Sequence, residues 1–145
     1  MNIADTLARS IVTDASDAII ATDREGVICL WNAGAERIFG YTASEAVGRS
    51  LDIIIPEGLR ERHWRGFRHV MDTGDSHYGA GDLLSVPGIR KNGQRVSLEF
   101  SIVALKDAQG EIAGLAAIMR DVTKRFEEVR SLKAELAAAK GGERR

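Results

Sequence analysis

The sequence is short of cysteine, of net charge and of long apolar runs, and each shortage removes a class of protein. Cys29 is the only cysteine among 145 residues, so no intramolecular disulfide can form and a cysteine-rich zinc site is excluded. The 20 basic and 21 acidic residues leave a formal charge of −1, which gives no electrostatic footprint for nucleic acid or an anionic membrane. No stretch approaches the roughly 18 apolar residues of a membrane span. The opening MNIADTLARS lacks the basic start and apolar run of a signal peptide, so the cytoplasm is the expected location. Catalytic signatures are missing as well: no G-x-S-x-G, H-E-x-x-H, P-loop or G-x-G-x-x-G occurs. The paired carboxylates Glu127 and Glu128 belong to a solvated helix, and an enzyme is not expected.

What remains is an ordinary globular composition, 44% hydrophobic and 28% charged. The length fits one domain whose core buries roughly two-thirds of the unfolded surface, so neither a metal nor a disulfide is needed to hold it.

The chain begins with a helical stripe, Ile3, Leu7 and Ile11, that predicts an amphipathic cap helix over residues 1–12 lying outside the main core. Ala18–Thr22 and Val27–Trp31 read as two strands joined by the polar turn Asp23-Arg24-Glu25-Gly26. Asn32 is placed to cap a helix from Ala33 to Phe39 that Gly40 closes. A second capping pattern stands at Thr42 and Ser44-Glu45, before Gly48. After the apolar Leu51–Ile55, Pro56 opens a longer helix running to about Asp72, with Gly74 just past its end.

From there the period changes to two. Val96, Leu98, Phe100 and Ile102 alternate with polar residues, and Asn92-Gly93 predicts a hairpin pairing this strand with Leu83–Ile89. Asp107–Gly110 is another turn, and Ile112–Arg120 a further strand. Val122, Phe126, Val129, Leu132 and Leu136 then mark a helix over 123–140, followed by a disordered tail at 141–145. Strands segregated from helices predict an α+β domain over 13–122 with an antiparallel sheet.

The run DAIIATDREGVICLWNAGAERIFGYTASEAVGRSL resembles the first half of a PAS domain of the S-box type, and IRKNGQRVSLEFSIVALKDAQGEIAGLAAIMRDVTKR resembles its second half. Together the two runs implicate roughly residues 12 to 125. The resemblance implies a PAS fold: a five-stranded antiparallel sheet with helices over one face, a small internal cavity, and flanking terminal helices. It also implies a sensory role in signal transduction. Asp121-Val122-Thr123 resembles the family's exit motif, in which the last strand passes into an output helix, so Asp121 and Thr123 are the expected signal relay.

His63 is the residue with the most chemistry. Leu59, His63, Phe67, Val70 and Met71 share one helical face, which sets an imidazole on the core side. A neutral nitrogen there serves as a haem ligand or as a packed core histidine. The segment PEGLRERH resembles the stretch bearing the proximal histidine in haem-binding PAS domains of oxygen-sensing kinases, which places His63 on the ligand position. Phe100 and Ile102 fall on the distal side, with Phe67 beside the ligand and Met119 as a candidate sixth ligand. Those sensors carry a distal arginine, and the corresponding Gly81-Asp82-Leu83-Leu84 has none.

Other residues receive plainer readings. His69 and His77 are expected in solvent and Gly79-Ala80-Gly81 at a strand edge or loop. Cys29 is expected as a small core residue. The small residues Ala113-Gly114, Ala116 and Ala117 leave room for a ligand or for close packing. The two terminal stripes predict a homodimer or helices folded back on their own sheet, and output must reach an unknown downstream signalling protein.

Overall fold

A computed structural model describes residues 2–74 and 84–143. Its elements run α1 (Ile3–Asp14), β1 (Ala18–Asp23), β2 (Ile28–Trp31), α2 (Ala33–Phe39) and α3 (Ala43–Ala46), then two 3-10 turns, Leu51–Ile54 and Glu57–Leu59. The chain continues through α4 (Arg60–Thr73), β3 (Leu84–Ile89), β4 (Arg95–Lys106), β5 (Ile112–Asp121) and α5 (Thr123–Glu143). The five strands form one sheet in the order β2-β1-β5-β4-β3, antiparallel throughout. This is the α+β arrangement expected.

Strand register decides which side chains face the helices. Ala18 lies opposite Met119 and Met119 opposite Phe100; one step along the face, Ile20, Ala117 and Ile102 line up. Because side chains alternate along a strand, these residues point to one side. There they build two apolar clusters. One, under α2 and α3, includes Ile20, Trp31, Phe39, Leu98 and Met119. The other, against α4, contains Phe67, Met71, Ile112 and Leu115.

Several local expectations hold to the residue. The Asn32 side chain accepts from Ala35 N–H at the start of α2, and Gly40 closes the helix at φ 86°. Thr42 and Glu45 form a reciprocal capping box on α3. Gly93 is left-handed at the β3–β4 turn, as Asn-Gly chemistry requires.

Others need correction. Cys29 is exposed rather than in the core. Between Ala21–Leu30 and Thr22–Ile28 the β1–β2 register slips by one residue, so Cys29 is the extra residue of a bulge. The slip lets Ile28 and Trp31, an odd number of positions apart, both be buried, and it turns the thiol outward. The long helix does not open at Pro56: a 3-10 turn intervenes and α4 starts at Arg60. α1 extends to Asp14, and α5 runs through Gly141 and Gly142 to Glu143, where a disordered tail was expected. The alanine run 137–139 favours helix up to the two glycines, each of which costs about 1 kcal/mol relative to alanine. Neither terminal helix folds back on the sheet. α1 has no buried residue, and Phe126, Val129, Leu132 and Leu136 are all exposed.

β3 carries Pro87 opposite Ser97, consistent with its place at a sheet edge. Gly114 in β5 sits so close to β1 that an added Cβ would lie 1.9 Å from the Thr22 carbonyl oxygen. The small residues of that strand therefore serve close packing at this position, against a neighbouring strand rather than a helix.

Candidate functional site

α4 lays one face on the sheet, and that face carries the candidate site. Phe67 and Met71 are buried, four residues apart. Ile102, Ala104, Val70, Trp64 and Leu51 pack around them. His63 lies one turn before Phe67, half-buried, with ring centroids 6.1 Å apart, and Trp64 meets its ring edge-on at 4.7 Å. The Nδ1 atom of His63 is buried without a hydrogen-bond partner.

The site residues expected from the sequence are thus only partly assembled. His63, Phe67 and Ile102 belong to the α4 side. Phe100 and Met119, paired across β4 and β5, pack instead into the cluster beneath α2. His69 is exposed; His77, Gly79-Ala80-Gly81 and the stretch Gly81-Asp82-Leu83 lie outside the described residues. Among the described residues, no group of three His, Cys, Asp or Glu is arranged to hold a metal ion, and no helix is long and apolar enough to cross a membrane. An open cleft of about 270 Å³ lies elsewhere, between the end of α1 and α2, lined by Val12, Asp14, Trp31 and Glu36 among others.

Sequence reasoning missed what steadies α4. The Trp64 indole N–H donates to Asp52 Oδ1 at 2.7 Å. Its ring covers the hairpin glycine Gly26, where an added Cβ would lie 2.2 Å from the indole. Asp52 also faces His63. Burial pushes the His63 imidazole below its usual pKa, and the Asp52 carboxylate opposes that only in part.

The sign of a pH effect follows. A folded-state pKa below the unfolded one means the unfolded chain binds the proton more readily. His63 is therefore without cost above about pH 6.5 and destabilises the fold progressively as pH falls below that value. His63→Leu is expected to flatten the fall in urea midpoint between pH 7.5 and 5 relative to wild type. Parallel pH profiles for the two proteins would refute the assignment.

At the far end of β5 the expected relay residues do meet. Asp121 Oδ1 accepts from both the backbone N–H of Thr123, at 2.9 Å, and its hydroxyl, at 2.6 Å. Thr123 Oγ1 in turn accepts from Ser97 N–H at 3.0 Å, and Val122 N–H donates to the Ser97 carbonyl at 2.9 Å. Asp121 Oδ2 receives Arg90 Nη2 at 2.9 Å. Partial burial raises the Asp121 pKa, but the bonds from Thr123 and Arg90 outweigh it and hold the carboxyl below its ordinary value.

The family described as PAS fold matches residues 12–127, from the end of α1 into the second turn of α5. The chain belongs to the PAS family. Its fold is similar to that of a PAS domain of solved structure from Colwellia psychrerythraea, with a TM-score of 0.73 at 24% identity over 85% of this chain and 99% of that one. In sequence the domain is similar to the sensor protein FixL of Bradyrhizobium diazoefficiens, 32% identical over 121 residues, or 83% of this chain and 23% of that protein. It is also similar to the oxygen sensor protein DosP of Escherichia coli, 27% identical over 107 residues, or 73% and 13%. The PAS domain thus spans less than a quarter of the length of either relative.

Proposed function

We propose that this PAS domain is a sensory signal-transduction module that binds a small ligand or cofactor against the sheet face under α4. The occupied state is relayed through Asp121-Val122-Thr123 into α5. The observation that carries the reading is covalent continuity. Leu115, Ala117 and Met119 line the ligand face of β5, and two residues later the same strand ends in the carboxylate that caps α5. Binding and relay, rather than catalysis, is the activity this arrangement supports.

The stripes on α1 and α5 support a homodimer. Ile3 is 69% exposed and Leu132 62%, and helices with such unpaired apolar faces gain most from packing on a second copy. Output would then pass from the paired helices to a downstream signalling protein.

One observation favours a narrower reading, a haem-based gas or redox sensor. His63 presents a buried nitrogen with no hydrogen bond, kept neutral by burial and set among Phe67, Trp64 and Ile102. Neutral imidazole in an apolar setting is the donor haem iron requires. His63 would hold the iron, with Phe67 and Ile102 against the macrocycle and Phe100 and Met119 further along the same face. Haem would supply reversible binding of a diatomic gas or a redox change. The similarity to the oxygen sensor protein DosP points the same way.

The test is an absorption spectrum from 250 to 700 nm before and after hemin addition, on wild type and His63→Ala. A stoichiometric Soret band lost in the variant is expected for the haem sensor; a band indifferent to His63 would remove that reading. Amide exchange over residues 121–138 and sedimentation, each with and without ligand, then test the broader one. Unchanged exchange and an unchanged monomer would leave no relay and no dimer, whereas an unliganded but constant dimer would mark a scaffold.

A further inference from the structure

Arg90 bridges the C-terminal end of α2 and the last residue of β5 through one side chain. It stands just after β3, in the turn to β4, where its backbone N–H donates to the Gln94 carbonyl. Its Nη1 donates to the carbonyl of Ile38, in the last turn of α2, and its Nη2 to Asp121 Oδ2. The side chain is only 20% exposed, and Nε is buried with no partner. Next to it, Lys91 N–H donates to the Phe39 carbonyl at 2.8 Å. The last carbonyls of α2, which no intrahelical N–H can reach, are therefore satisfied by the β3–β4 turn.

We infer that Arg90 is a positioning residue that couples the C-terminal end of α2 to the start of α5. This rests on the proposed relay through Asp121 and adds a second input to it. A planar guanidinium holds both acceptors in one fixed geometry. Displacing the end of α2, where Ile38 and Phe39 are buried in the larger cluster, draws the guanidinium away from Asp121. Asp121 then loses its charged partner, and the carboxylate that fixes Thr123 is free to turn. The α5 start reports on the packing under α2 as well as on β5. The unpartnered Nε is consistent with a group held by two strong contacts rather than by full solvation of its donors.

Hydrogen–deuterium exchange on the full chain without ligand tests this. Arg90→Met and Asp121→Asn are each expected to speed exchange over residues 122–127 about ten-fold or more, as loss of a charge-assisted bond does, and the double variant no further. Phe39→Leu, which disturbs the end of α2, is expected to speed exchange at 122–127 when Arg90 is present and not in the Arg90→Met background. Wild-type rates at 122–127 in Arg90→Met, with loosening only near residues 36–40, would reduce Arg90 to a helix cap and overturn the inference. So would transmission of Phe39→Leu that persists without Arg90. Should Arg90→Met not fold, Arg90→Lys, which keeps the charge but not the fork, carries the same comparison. Because no ligand is present, failure of ligand binding and failure of this coupling are separate results.

Discussion

Asn32→Ala is expected to lower stability by about 3 kcal/mol, or roughly 10 °C in Tm. One buried amide makes three bonds that no neighbour can replace. Its Oδ1 accepts from Ile19 N–H at 2.8 Å and from Ala35 N–H at 3.0 Å, and its Nδ2 donates to the Asp17 carbonyl at 3.0 Å. It therefore caps α2 and ties that helix to the start of β1. Removing it deletes a cap and leaves a backbone N–H and a carbonyl with little water to turn to. Asn32→Asp retains the acceptor and loses the donor, so it should cost clearly less. Thermal unfolding followed by circular dichroism gives the order, and an alanine variant as stable as the aspartate one would show that water fills the gap.

The second large effect is expected from Gly114→Ala, at about 3 kcal/mol of destabilisation. The obstacle is the Thr22 carbonyl oxygen, at 1.9 Å from the new Cβ. A backbone atom of a paired strand cannot rotate aside, so β1 and β5 must separate. Gly66, in the middle of α4, meets nothing within 4 Å, and Gly66→Ala should stabilise by roughly 0.5–1 kcal/mol through helix propensity. The same chemical change is thus expected to act with opposite signs at two sites. Equal effects in urea unfolding would mean that β5 yields more readily than its packing implies.

The elements that could be read in the sequence are those whose determinants are local. Asn32 and Gly40 bound α2 because caps act within a few residues, and Asn92-Gly93 announces its hairpin because only a left-handed residue fits that turn. Cys29 was misplaced because one bulged residue inverts the alternation on which burial is judged. His63 could be set on the right face of its helix from spacing alone. Its surroundings could not, since the Trp64–Asp52 bond spans 12 residues and Arg90 reaches Ile38 across 52 and Asp121 across 31. No periodicity links such positions. The division of Phe100 and Met119 from His63 was hidden for a similar reason: which of two clusters a strand residue joins depends on where the helices above it end.

The bulge and the proline also bear on how copies of this domain can associate. β2 and β3 are the two margins of the sheet, and the outer side of β2 is already paired at Ile28, whose N–H donates to the Arg49 carbonyl and whose carbonyl accepts from Gly48 N–H. The first is only four residues long and is kinked at Cys29, and the second lacks an amide hydrogen at Pro87. Neither presents the straight ladder of free donors and acceptors onto which another strand can add. The sheet is therefore poorly suited to growing from chain to chain into a continuous ribbon. Assembly is channelled to surfaces with a fixed stoichiometry, and an array of domains at high local concentration can stay a set of discrete units rather than a fibre.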